Sequence, residues 1–327
     1  MRAHAEQIVE ITQDYRNDDN LFINTDHVLQ WIEQFQHADQ QFVLEETAHV
    51  LRKTYLSKAS LSTLIDKLVD QYFEEIVTRR WIKTHMAGNS QSWMLEQLRI
   101  RGLESSNAAT DLLFLDDIIF SGGRAFQDIR EWTMRNSDAL ATQGDVVVMS
   151  LFRHDSSWSA LLGDRYGLKP HLGSLGYRPL CRQLIFIDDA KNNTNFTKFV
   201  LRCIQFPEIT QYPEYSQHFV ARIPGCPQDS AFSSDAARCR YERIMFLAGL
   251  NIRARCPQLP AHMRPLGATH LKTPGFGALL VTARNCPNNC PLAWWVDLPW
   301  HPLFPRRKNV RHPVMHEGYE AFDDTLF

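Results

Sequence analysis

No run in this 327-residue chain approaches the ~18 consecutive apolar residues of a membrane span, so no membrane-crossing helix is expected. The first residues, Met1 to Asp14, are too polar for a secretory signal, which predicts a cytoplasmic protein. Charge of one sign is missing as well. Lys and Arg number 35 against 37 Asp and Glu, a formal net charge of -2, and no overall basic field draws in nucleic acid. The seven cysteines all fall between Cys181 and Cys290 without the paired short spacings of a zinc ribbon, so free thiols are expected. Cys256, Cys286 and Cys290 make a weak metal set at best. There is no internal repeat and no low-complexity tract, which excludes a solenoid.

What is there is the composition of an ordinary globular protein, 44% hydrophobic and 22% charged. From Thr25 to about Phe73 the pattern is helical: Val28, Leu29, Ile32 and Phe35, then Leu61, Leu64, Ile65, Leu68, Val69, Tyr72 and Phe73, recur at helical spacing. A short strand is expected within Ile76 to His85, and a helix from about Trp93 to Arg101. The apolar run Asp111 to Leu115 reads as a strand buried on both faces, Arg124 to about Ala139 as a helix, and Gly144 to Phe152 as another buried strand. Strand, helix, strand in that order implies a parallel crossover. Further strands are expected at Leu184 to Ile187 and Gly277 to Thr282, and a helix at Ala236 to Arg255. Asn192 to Ser234 lacks periodicity and reads as an irregular insertion, and prolines interrupt the chain after Cys286. The resulting division is a helical cap over 1–75, an α/β core over 76–285 with the insertion near 192–234, and a Pro- and Trp-rich extension over 286–327 packed on the core.

The segment Phe114-Leu115-Asp116-Asp117-Ile118-Ile119-Phe120-Ser121-Gly122-Gly123-Arg124 carries the chemistry. It places two acids at the carboxyl end of a strand and two glycines at a helix start. Ionised carboxylates are acceptor-only, so Asp116 and Asp117 suit the two hydroxyls of a ribose and a water-ligated magnesium ion. Gly122 and Gly123 let the backbone approach a phosphate closely, and their amides with the helix dipole behind them make an anion site. Ser121 adds a hydroxyl, Phe120 precedes it, and Arg124 either binds phosphate or pairs with a neighbouring acid.

This stretch resembles the phosphoribosyl-pyrophosphate signature of type I phosphoribosyltransferases, with Phe120 in place of a smaller residue and Arg124 in place of the usual Thr. A wider resemblance rests on Trp31 to Phe35, the turn Gly88-Asn89-Ser90-Gln91-Ser92, the motif itself, and Cys286-Pro287-Asn288-Asn289-Cys290-Pro291 with Trp294-Trp295 and Pro302 to Arg306. Over nearly the whole chain it is similar to the phosphoribosyltransferase-like conflict effectors of bacterial antiviral defence, some of them accessory to retron reverse transcriptases. The resemblance implies a type I phosphoribosyltransferase-like parallel sheet with a helical N-terminal region and an irregular C-terminal extension. It implies phosphoribosyl pyrophosphate or a related nucleotide as ligand, magnesium as cofactor, and Asp116 and Asp117 as catalytic and metal-binding residues. Phe120, Ser121, Gly122, Gly123 and Arg124 would form the phosphate cradle, and Gly88, Asn89 and Ser90 the pyrophosphate loop. Restraint by partners of a defence complex, such as a reverse transcriptase with its DNA, is implied as well.

Other readings stay open. Acids at a strand end can simply cap a helix, and Ile185-Phe186-Ile187-Asp188-Asp189 shows the same look without the glycines. A phosphoribosyltransferase-like domain can also be a catalytically inactive regulator that senses nucleotide, or a scaffold for a protein or nucleic-acid partner. His154 reads as a packed or capping group, Trp294, Trp295 and Trp300 as core rather than a base-stacking platform, and the basic run from Arg306 to Arg311 as a solvated tail or a nucleic-acid contact.

Overall fold

The computed structural model describes residues 1–84, 90–120, 122–136, 146–153, 185–186, 207–216, 231–269 and 273–306. They fall into two units, one combining Met1–Leu61 with Lys198–Arg307 and the other running over Ser62–Thr197. Among the described residues no helix is long and apolar enough to cross a membrane.

The first unit is built by helices from both ends of the chain. α1 (Arg2–Ile11) turns Ala5 and Ile8 inward, α2 (Thr25–Ile32) turns Val28, Trp31 and Ile32, and α3 (His37–Thr54) turns Val43, Leu44, Val50 and Leu51. The start of α2 is fixed by Asn24, whose side-chain oxygen accepts from the His27 amide at 2.8 Å. β1 is Tyr55–Leu56, and α4 (Lys58–Val77), with a non-helical residue at Tyr72, leads out of this unit. Far along the chain come the short helix α7 (Pro213–Ser216) and the long helix α8 (Asp235–Arg255). Ser234 caps α8, with Asp235 in its first turn and Arg253 and Arg255 in its last, each favourable to the helix dipole. β6 (Met263–Arg264) and β7 (Gly267–Ala268) form an antiparallel pair, β8 (Val281–Thr282) lies parallel to β1, and α9 is Leu292–Trp295. Gly267 has φ +107°, and a Cβ there would meet the Asn289 carbonyl oxygen at 2.1 Å, so only glycine fits.

Indole N–H groups tie this core together. Trp31 and Trp300 both donate to the Ala293 carbonyl, at 2.7 and 3.0 Å, and Trp294 donates to the Tyr241 hydroxyl at 3.0 Å. Tyr241 in turn shares a 2.9 Å hydrogen bond with Thr47 of α3. Each large ring thus buries its apolar body without leaving its polar atom unpaired. Cys256, Cys286 and Cys290 are buried free thiols. The Arg306 guanidinium donates to the Cys286 carbonyl at 3.0 Å and lies over the Trp295 ring at 4.7 Å, so this arginine is packed structure rather than solvated tail.

The second unit holds a four-stranded parallel sheet of β2 (Arg80–Trp81), β3 (Leu112–Ile119), β4 (Val146–Arg153) and β5 (Ile185–Phe186), in that spatial order. α5 (Ser90–Ile100) connects β2 to β3 and α6 (Gly123–Arg135) connects β3 to β4. This is an α/β arrangement of helical crossovers between parallel strands. Leu112, Phe114, Val146 and Val148 of the sheet pack with Ala125, Phe126, Ile129 and Trp132 of α6. Burial of such side chains at roughly 1.5–3 kcal/mol each is what holds the crossover against the sheet.

Three expectations are corrected. β3 does not end at Leu115: Ile118 and Ile119 continue the pairing, in register with Phe152 and Arg153. These β-branched residues are buried and extend the ladder past both acids. Of the expected strand Gly277 to Thr282, Val281–Thr282 forms, and it pairs with β1 rather than with the four-stranded sheet. Gly277 has φ +69°, a left-handed turn incompatible with strand geometry. The helical region also starts before Thr25, where the apolar periodicity begins: Arg2–Ile11 is helical as well.

Candidate functional site

The site begins where the apolar layer beneath α6 stops. Along β3 alternate side chains share a face. Leu112 is in register with Val146 and Phe114 with Val148; the next step on the same face is Asp116 with Ser150. Two aliphatic rungs are thus followed by a polar one. Asp116 is 8% exposed and Ser150 fully buried at 0%. Two helices complete the layer. Ser90, first residue of α5, hydrogen-bonds the Asp116 carboxyl, and Asp128 of α6, buried at 3%, adds a carboxylate close enough to act on it.

Asp116 Oδ1 accepts from the Asp117 amide at 2.9 Å, and Asp117 Oδ1 accepts from the Ile118 amide at 2.8 Å. Burial, then the neighbouring carboxylates of Asp117 and Asp128, push the Asp116 carboxyl up to about 8, opposed by the hydrogen bonds from Ser90 and the Asp117 amide. Burial and like charge thus favour the protonated form of Asp116 in the ligand-free fold, against the ionised acceptor that its sequence suggests.

Beyond β3 the chain passes buried Phe120 and enters α6 through Gly122, whose φ is +79°. That conformation favours glycine, and the Gly122 carbonyl accepts from the Phe126 amide at 2.9 Å to open the helix. The first turn of α6 contains no acidic residue, so no carboxylate of that turn neutralises its positive end. Arg124 has an acid partner: its Nε lies 3.2 Å from Asp128, one helical turn on. Of the two roles open to it in the sequence, pairing with a neighbouring acid is the one observed.

Ser90 and Asp116, far apart in sequence, are brought together. Gly88, Asn89 and Ser121 lie outside the described residues, as do His154 and 307–311. Trp294, Trp295 and Trp300 belong to the core of the other unit. Sequence reasoning missed Asp128 and Ser150. Both had a signal: Asp128 interrupts the apolar stripe Ala125, Phe126, Ile129 and Trp132, and Ser150 breaks the apolar run of β4.

The same residues bear on the expected magnesium. Among the described residues no group of three or more His, Cys, Asp or Glu side chains is gathered to cage an ion. The carboxylates of Asp117 and Asp128 do raise the cost of ionising Asp116, a field that a divalent cation offsets. Asp116 and Asp117 therefore fit an ion held through water and a ligand's phosphates.

No curated protein and no solved structure matched this chain in comparison. A family model did, over residues 28–306, which takes in most of α2, the four-stranded parallel sheet, the Asp116 layer and the tryptophan-lined core. The chain belongs to the PRTase-CE family, the phosphoribosyltransferase conflict effectors.

Proposed function

We propose that the protein is a phosphoribosyltransferase-like effector that acts on phosphoribosyl pyrophosphate or a related nucleotide in bacterial anti-phage defence, on a type I phosphoribosyltransferase-like core. The observation that carries the reading is the polar layer Asp116, Ser150, Ser90 and Asp128, followed within a few residues by the left-handed Gly122 turn into α6. Sugar-binding acids and an anion-binding helix start then lie a short stretch of chain apart, as a ribose 5-phosphate requires.

In this reading the Asp116 and Asp117 carboxyls hold the ribose hydroxyls. The amides at the start of α6 hold the 5-phosphate. Ser90, with Gly88 and Asn89 of the same turn in sequence, would bind the diphosphate. As diphosphate leaves C1, positive charge grows on the ring, and the buried carboxyls stabilise it while an incoming nucleophile takes the vacated bond. Magnesium, when bound, neutralises the departing diphosphate. No nucleophilic side chain is required, so the lack of a Ser-His-Asp signature is no objection. Toxic chemistry of this kind calls for restraint by defence partners, a reverse transcriptase with its DNA among them.

The upward push on the Asp116 carboxyl favours a second reading, an inactive domain that binds nucleotide and signals to a partner. Isothermal titration with phosphoribosyl pyrophosphate and magnesium tests binding: saturable heat is expected, and none at millimolar ligand contradicts both readings. Asp117→Asn then separates them, since an enzyme loses its cellular toxicity and a sensor that works through partners keeps it.

A further inference from the structure

The layer around Asp116 contains a hydroxyl that the reading above leaves without a task. Ser150 Oγ is fully buried and finds no hydrogen-bond partner among the described residues. A buried hydroxyl in that state is a net cost to the fold, and an alanine among the valines of β4 would avoid it. A second orphan belongs to the residue after Ser90. Gln91 is 1% exposed, and its Oε1 accepts from both the amide and the hydroxyl of Thr84 at 2.8 Å. That pairing fixes the orientation of the amide, and its Nε2 is left with no acceptor. Two buried donors without partners among the described residues thus stand on the strand paired with Asp116 and on the helix that carries its Ser90 partner.

A vicinal diol explains donors of this kind. Each sugar hydroxyl has one proton to give and lone pairs to satisfy. A carboxylate takes the proton but offers nothing to the lone pairs, and in a site closed to water a protein donor has to supply it. We propose that Ser150 is a substrate-binding residue, its Oγ–H donating to the ribose hydroxyl whose own proton is accepted by Asp116. The register of β3 with β4 sets the two groups side by side on one face of the sheet. This inference rests on the ribose-binding reading of the site and adds to it a residue that selects for the sugar's hydroxyls.

The test uses the full chain with magnesium chloride and titrates ribose 5-phosphate and its 2-deoxy and 3-deoxy analogues into wild type and Ser150→Ala. Loss of one ligand hydrogen bond predicts that Ser150→Ala binds ribose 5-phosphate about five- to tenfold more weakly. Wild type should discriminate against at least one deoxy sugar by a similar factor, and the variant by less than about twofold. Because no protein bond is lost, its thermal midpoint should stay level or rise. Equal affinity in variant and wild type overturns the role of Ser150 while the ribose reading stands. No binding of any sugar phosphate by wild type overturns that reading, and this inference with it. Should the variant fail to fold, the wild-type ratios decide: discrimination of fivefold or more supports the donor, and ratios within twofold overturn it.

Discussion

Asp116 and Ser150 stand in register across β3 and β4, one rung beyond the aliphatic pairs Leu112 with Val146 and Phe114 with Val148. That rung divides the sheet face into a part that holds the protein together and a part available for chemistry. The first is packed by α6; the second collects acids and hydroxyls whose bonding is incomplete or strained by like charge.

Stability should fall as pH rises through the range in which Asp116 differs between folded and unfolded chains. Its folded value, about 8, lies above that of the unfolded carboxyl near 3.8, so the folded state keeps a proton that the unfolded state releases. The contribution is intact below about pH 4 and is lost progressively up to about pH 8. Urea unfolding at pH 5 and pH 8 checks this, with Asp116→Asn expected to flatten the dependence. An unchanged slope in that variant would show that other groups set it.

Asp128→Asn removes one of the carboxylates that raise Asp116. The Asp116 titration, followed by carboxyl-carbon NMR, should move toward lower pH. The complementary change, Arg124→Met, removes the ion pair that Arg124 makes with buried Asp128. Since Arg124 is partly exposed and water screens the pair, a loss of about 1–2 kcal/mol is expected in chemical denaturation.

Gly122→Ala forces a Cβ into a left-handed backbone, at about 1–2 kcal/mol. If the turn relaxes instead, the start of α6 is displaced. Both routes predict a lower melting temperature, and binding of ribose 5-phosphate should weaken more than Asp128→Asn weakens it.

Tyr241→Phe tests the other unit. It deletes the hydroxyl shared by Thr47 and Trp294 and leaves the Trp294 N–H buried with no partner among the described residues. A cost of roughly 1–3 kcal/mol is expected from thermal unfolding. A neutral result would mean that the indole finds another acceptor.

The sequence made the parallel crossover legible because its strands are continuous apolar runs and α6 follows them at helical spacing. It also singled out Asp116, Ser90 and Gly122, since acids and a diglycine beside apolar runs are conspicuous. The extent of β3 was not legible: acids predict a strand end, and the buried Ile118 and Ile119 overrode them by continuing the ladder. Nor was the state of Asp116, which depends on Asp128 and Ser90 reaching it from two helices. The core shared by Trp31, Ala293 and Trp300 was hidden for a similar reason, since no local pattern joins residues more than two hundred positions apart.

Hydrogen–deuterium exchange with and without ribose 5-phosphate and magnesium puts the central claim to its most direct test. Slowed exchange concentrated in β3 and in the amides from Gly122 to Phe126 is the predicted result. Saturating ligand that leaves those amides unchanged, or protects a different part of the chain instead, would contradict it.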